Sequence, residues 1–553
     1  MLEVLISFIV ILIISYSIGA LLLGICDKQN KSCHQVDNYV MAGILGLTVY
    51  AQFFSLFYKV GLWALIGALA LTVFSVCLNR GWMFGCLKKI NRNYMLVYII
   101  LFCLFSYGSS RGYIHYDTSL YHAQAIRWIE EYGVVKGLGN LHTRLAYNSA
   151  AFPLTALFSF SFIKGKSLHI VSGFLAYVLA CKTIPFFEIF GKRKFKPADS
   201  VRLISIIYLL MIFDEMVSPA SDYFCVLTVL YLVISLLELI QNREEAGDFL
   251  SAYANLCVYG VFVVTIKLSG VMVLLLALYP AYYFVCEKRI KDIVTNIFKG
   301  LVVAFPYFAR NVIISGYLLY PSTAFDFFDF KWKLPKDIAD YDRREISVWG
   351  RGYSDVSQYD KPFREWFADW VSNLSASNKG MLCLCVLCGV ALLVGIFYTL
   401  KYKKVGFYAY IFVDCCMGLC LLFWLLSAPL IRYGWVFLWC FPALVLGQIV
   451  AVLVENEGRK RLGTLLAIVL LLFLAYKAYA FGKELVRGFV NDYWICQKIY
   501  DEFEVEAYEI EGVTFYCAQN TDQTGYSAFP SSPVKASIGF LGNDLKDGFY
   551  YKK

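Results

Sequence analysis

Charge is scarce in this 553-residue chain: Asp, Glu, Lys and Arg together make 16% of it, against 59% hydrophobic residues. At a mean hydropathy of +0.60, a soluble fold would have too little interior to hide that apolar surface. This excludes a water-soluble globular enzyme or a nucleic-acid-binding module. Histidine is rarer still, with five in the chain, and the 13 prolines leave long helices few interruptions. The 18 cysteines lack metal-site order. No pair of CxxC units and no Cys/His grouping has metal-site spacing, and most, such as Cys383, Cys385, Cys388 and Cys416, sit in apolar runs as small hydrophobes. The first apolar run, 2–26, has neither a basic flank nor a small-residue cleavage pattern, so it reads as a retained helix. Internal repeats, heptads and low-complexity runs are also missing.

What remains is a succession of apolar runs of about 20 residues, each long enough to cross a bilayer as a helix. They predict an all-α polytopic membrane protein with about fourteen spans, near 2–25, 39–59, 62–79, 94–108, 168–190, 201–217, 222–240, 249–266, 268–286, 295–309, 381–400, 406–428, 434–454 and 463–481. The net charge of +9 is concentrated in short loops: Arg80, Lys88, Lys89 and Arg92; Lys192, Arg193, Lys194 and Lys196; Lys288, Arg289 and Lys291; Lys401, Lys403 and Lys404; Arg459, Lys460 and Arg461. Such clusters mark the cytoplasmic side, which accounts for the positive balance without nucleic acid. Counting spans from there puts the 109–167 and 310–380 loops, the turns at 218–221, 267 and 429–432, and the tail on the opposite face. That opposite face is the extracytoplasmic one, and it is the face expected to carry the activity.

Three regions follow: N-terminal helices over 1–93, a core over 94–481, and a small extracytoplasmic α/β domain over 482–553. In that last region Cys496 and Cys517 leave a disulfide open. The apolar piece 150–163 is too short to span and is expected to lie in or under the outer interface. The 310–380 loop, rich in aromatics and charge, reads as an ordered cap with amphipathic helices. Lys182 and Lys477 interrupt spans and read as residues that reach to the interface.

The polar segment 111–148 stands out, with His115, His122 and His142 beside Asp117, Glu130 and Glu131. A short helix is expected over 118–131, with His122, Arg127 and Glu131 on roughly one face. Asp117 either caps that helix or serves as a general base at the bilayer surface. Asp222 either caps the helix it begins or faces Asp117 across one pocket. Lys267, Arg310 and Arg432 interrupt apolar sequence at the same face, where ionisable groups are costly and mark functional sites. Arg and Lys there suit a phosphate or diphosphate. No metal or other cofactor is assigned, although Asp117 with His115 or His122 leaves a divalent cation open. His142 and His169 read as packed or hydrogen-bonded residues.

An acid in a YDxxxYH context (116–122) in the first large outer loop, followed by interfacial helices and a many-spanned core, resembles the GT-C class of polytopic glycosyltransferases. The stretches YDTSLYHAQAIRWIEEYGVVKGLGNLHTRLAYNSAAF (116–152), ARNVIISGYLLYP (309–321), CAQNTDQTGYSAFPSSP (517–533) and LKDGFYY (545–551) resemble a large uncharacterised bacterial membrane family, often met near genes for surface polysaccharide. The GT-C resemblance covers about 94–454. It implies a polyprenyl-phosphate-sugar donor, a cell-surface glycan or lipid acceptor, and Asp117 as the first-loop base. Asp222 would position the acceptor, and Lys267, Arg310 and Arg432 would stabilise the leaving phosphate, with His115 and His122 lining the substrate. Two features depart from the class: three helices precede the span that would open its core, and its twin first-loop acid appears only if Asp222 or Glu130 supplies it. An O-antigen-type polymerase or ligase, a transporter or flippase of lipid-linked glycans, and a structural assembly protein are the other readings of such a chain.

Overall fold

In the computed structural model, described for residues 1–26, 35–88, 90–191, 194–454 and 492–552 and for scattered positions between 468 and 483, the chain is mainly helical. Among these residues, ten helices are long and apolar enough to cross a membrane: Leu2–Gly24, Leu62–Leu87, Val171–Ile189, Ser221–Gln241, Phe249–Ile266, Leu268–Cys286, Ile290–Ser315, Ala376–Lys401, Tyr408–Ser427 and Ile431–Leu453. Ser221–Gln241, apolar on all sides, is buried along nearly its whole length and forms the axis of the bundle. Ala376–Lys401 is the opposite case, exposing Val386, Leu393 and Phe397 as a lipid-facing helix does.

Three further expected spans coincide with helices, Val36–Ser55, Met95–Gly108 and Pro197–Met211, that are shorter or more polar than these ten. Pro197–Met211 stops early because Asp214, Glu215 and Pro219 follow it. The expected span at 463–481 lies outside the described residues apart from isolated positions.

The connections sort into two ends, as the charge pattern anticipated. At one end Tyr94 meets Glu188, Ser200 packs against Gly447, and Arg289 pairs with Asp248. At the other end lie 109–167, 212–220, Lys267, 316–375, 428–430 and the tail, joined to one another by hydrogen bonds. The chain is at the first end at Val454 and at the second at Asp492.

Several expectations change. Lys182 does not reach outward. It is buried between Asp37 (2.8 Å) and Glu238 (2.7 Å), with Arg202 bridging Glu238 to Asp199, so a closed ion network holds it inside. The 150–163 piece is not spread on an interface. Its first helix, Ala151–Leu157, is buried throughout, and only Phe162 and Ile163 emerge. The cap over 310–380 is ordered, with amphipathic helices Lys336–Gly350 and Phe363–Asn373, but Ile290–Ser315 continues past Arg310, which is therefore helical.

The tail holds strands and 3-10 turns and, among the described residues after 491, no α-helix. Strand β1 (Val505–Ile510) pairs antiparallel with β2 (Val513–Ala518), which pairs parallel with β3 (Ser531–Ser532). Strands β4 (Ile538–Phe540) and β5 (Phe549–Tyr551) form a second small sheet. Cys496 and Cys517 are both free thiols.

Candidate active site

The segment before Asp117 is fastened to the turn after Pro197–Met211. Tyr113 N–H donates to Asp214 O (2.7 Å), His115 N–H donates to Ser218 Oγ (2.7 Å), and Arg111 pairs with Asp214 (2.9 Å). Gly112, at φ +113°, lies so close to the Asp214 carbonyl that a Cβ would collide with it. A π turn, Thr118–His122, follows, then helix Ala123–Glu131. One-turn π insertions widen the local spacing and recur at functional sites.

Neither acid is spent as a cap. Asp117 precedes the π turn but makes no side-chain bond to its backbone; instead its Oδ2 accepts from Arg432 Nη2 at 2.7 Å. Asp222, in the first turn of Ser221–Gln241, is bound by the Lys267 ammonium, and Arg432 Nε stands 4.0 Å away. Ligand atoms of His115, Asp117 and Asp222 all lie within 4.8 Å of one another. Four segments far apart in sequence thus deliver two carboxylates, an imidazole, an ammonium and a guanidinium to one spot. Arg432 and Asp117 remain reachable there, their side chains 37% and 14% exposed.

The histidine's two nitrogens are distinguishable by what they face. His115 Nδ1 accepts from Asp117 N–H at 3.1 Å, so in the neutral ring the hydrogen sits on Nε2. That nitrogen is 3.2 Å from Arg432 Nη1, itself only a donor. Two donors thus meet where an acceptor oxygen would satisfy both, and Arg432 Nε, buried, has no acceptor either. The same polarity fits a metal poorly, since Nε2 would have to offer a lone pair beside a guanidinium. Burial lowers the His115 pKa from its ordinary value, with Asp117 pulling the other way. For Lys267, burial opposes the charge, but Asp222 and Tyr433 outweigh it and raise its pKa.

The other expected site residues fall elsewhere. His122 is buried behind His115, its Nδ1 3.1 Å from Thr118 Oγ1 and its ring against Phe152, so it backs the site without reaching the mouth. It does not share a face with Arg127, because five residues at 100° each place them about 140° apart. Arg127 turns to the tail, donating to Tyr526 O (2.7 Å) and Ser527 O (2.8 Å). Glu130 is no partner for Asp117: it is buried between Ser167 Oγ (2.8 Å) and Tyr526 OH (2.6 Å), and burial raises its pKa. Asp222, not Glu130, is the acid that stands beside Asp117.

Arg310 is not brought to the cluster. It is buried, donating to Asn148 Oδ1 (2.8 Å) and to Ser55 Oγ, beside a cavity of about 10 Å³ lined by Tyr147, Phe152 and Ile314. His169 is buried against Tyr500 and His142 is half-buried, and desolvation lowers each pKa to about 3.

The family model described as a domain of unknown function (DUF8201) matches residues 1–439. The chain belongs to that family. No curated protein and no solved structure matches the chain. The matched stretch contains every member of the DUF8201 cluster, from His115 to Arg432, and ends before the tail.

Two neighbours of the site carried no sequence signal that would have singled them out. Ser218 fixes His115. Tyr433 places its ring 3.7 Å from the Lys267 ammonium, and only its position beside Arg432 could have pointed to it.

Proposed function

We propose that this chain is a membrane glycosyltransferase of GT-C type, with about fourteen spans, acting at the extracytoplasmic face of a bacterial inner membrane. It would move a sugar from a polyprenyl-phosphate donor to a cell-surface glycan or lipid. The observation that carries this reading is the convergence of Asp117 and Asp222 with His115, Lys267 and Arg432 at one end of an apolar bundle.

In the proposed step the Asp117 carboxylate takes the proton of an acceptor hydroxyl. The hydroxyl oxygen forms a bond to the anomeric carbon as the bond from that carbon to the phosphate oxygen breaks. Polyprenyl phosphate leaves with the electron pair. Arg432 and Lys267, now shared with the acids, turn to the developing charge, and the paired donors of His115 and Arg432 receive a phosphate oxygen. Fixed donors aimed at charge that appears only in the transition state are the strongest lever such a site has. Asp222 holds Lys267 and the acceptor.

Arg310, buried away from the cluster, is left out of this step and given a structural part. The test is expression of wild type and Asp117→Asn at matched levels, with surface glycan and lipid-linked sugar pools compared by mass spectrometry. A sugar missing from the glycan while its lipid-linked donor accumulates in the variant supports the reading. A variant indistinguishable from wild type overturns it.

A second reading rests on Arg432 touching both His115 and Asp117 and standing near Asp222. It is an arginine-centred glycan polymerase or ligase, in which Arg432→Gln abolishes the product and Asp117→Asn does not.

A further inference from the structure

A cation buried in an apolar bundle needs an opposite charge close by, since desolvation otherwise leaves it strongly destabilising. Four lysine or arginine side chains are buried among the described residues: Arg144, Lys182, Arg202 and Arg310. Three of them have a carboxylate. Arg144 pairs with Glu345, Lys182 with Asp37 and Glu238, and Arg202 with Asp199 and Glu238. Arg310, the most deeply buried of the four at 2% exposure, has none among the described residues. Its bonds go to neutral groups, from Nε to Asn148 Oδ1 (2.8 Å) and from Nη1 to Ser55 Oγ. The other N–H groups of the guanidinium, which has five in all, find no acceptor among the described residues.

Beside this guanidinium lies the cavity of about 10 Å³, room for one small guest. Most of its wall is aliphatic, from residues such as Ile129, Val134 and Leu145. The polar side chains on it are already engaged: Asn148 accepts from Arg310 and donates to Tyr307 O and Asn311 Oδ1, and Tyr147 gives its hydroxyl to Asp342. Val135, on the same wall, has an N–H that no described residue accepts. The cavity is therefore supplied with donors and short of acceptors. A water molecule would serve the guanidinium but find no free side-chain acceptor for its own hydrogens. A monoatomic anion only accepts, and it brings the charge that Arg310 lacks.

We propose that this cavity is a halide site, holding chloride as the counter-ion of Arg310. Its wall also backs the acid cluster: the Phe152 ring packs on His122 with centroids 5.2 Å apart, and Tyr147 on Tyr121 at 5.8 Å. The ion completes that wall and takes no part in the transfer step. The full chain in detergent micelles is dialysed into sodium gluconate, chloride then replaces gluconate at constant ionic strength and pH, and thermal melting is followed. The wild-type melting temperature is expected to rise by about 1 °C for each tenfold increase in chloride once the site fills, with bromide acting likewise. Asn148→Asp puts a carboxylate within reach of Arg310 Nε, so its melting temperature is expected to be independent of chloride. Wild-type crystals grown in bromide give a reading that needs no variant: anomalous scattering within hydrogen-bond distance of Arg310. A wild type that melts identically in gluconate and chloride leaves the cavity to water and overturns the site. An equal chloride response in Asn148→Asp, or no bromide signal at Arg310, puts the ion elsewhere and overturns it as well.

Discussion

Asp117 and Asp222 each sit where a helix cap is the ordinary use of a carboxylate, and neither is used that way. Sequence could place both at one face but could not choose between cap and site; the choice came from Arg432 and Lys267, which arrive from 315 and 45 residues away. Arg432 holds Asp117 with one arm of a planar fork and turns its other N–H groups towards His115 and Asp222, a spread that a lysine ammonium cannot imitate. Arg432→Lys is expected to lower transfer about 100-fold, the scale of a misplaced catalytic group, while leaving the melting temperature in detergent nearly unchanged. Two desolvated histidines belong to this scale as well. His142 and His169 stay neutral in the fold down to about pH 3, whereas in the unfolded chain they take protons near the ordinary value of 6.5. The unfolded state therefore binds more protons below 6.5, and stability present at neutral pH is lost as pH falls towards 3. The slope is at most about 1.4 kcal/mol per pH unit for each histidine. Thermal melts from pH 7 to 5 should show this loss, and it should be smaller in His169→Phe.

Among the elements, long apolar helices were legible because 18 or more apolar residues have few alternatives to a span. Val36–Ser55 and Pro197–Met211 are less apolar than the ten long helices, since Asp37 and Asp199 enter their first turns to serve the Lys182 and Arg202 network, a three-dimensional reason. The π turn has no one-dimensional signature, and the 150–163 piece looked interfacial because burial between helices leaves the same composition as burial in lipid. Arg310 shows a similar ambiguity: a cation at helix depth reads as a site, yet this one ties helix Ile290–Ser315 to Asn148 and Ser55. Asn148 also donates to Tyr307 O (3.0 Å). Asn148→Ala would remove one of the two acceptors of a buried guanidinium and should cost about 2–3 kcal/mol, read as a lowered denaturation midpoint in micelles. Asn148→Asp, which restores an acceptor with a charge, should recover part of it.

For the molecule as a whole, the basic clusters and span parity sorted the connections into two sets, and those sets occupy two ends of the bundle. What parity could not supply was the tail's docking, because strands as short as β3 and β4 leave almost no pattern and the bonds that tie the tail to Gln124 span about 400 residues. Sidedness in the cell has its own measurement: an epitope inserted after Lys403 should stay hidden from antibody in intact spheroplasts, and one added after Lys552 should be labelled. Labelling of the first and not the second would turn the molecule over and place the site in the cytoplasm. The central claim is that the Asp117 cluster transfers a sugar from a lipid phosphate, and it is met most directly in purified protein. Proteoliposomes holding wild type or Asp117→Asn would be given lipid-linked sugars extracted from the native membrane together with the surface polysaccharide, and released polyprenyl phosphate followed by mass spectrometry. Release with wild type, and release reduced about 100-fold or more in the variant, is the expected result. Equal release from both, or none from wild type, would contradict it.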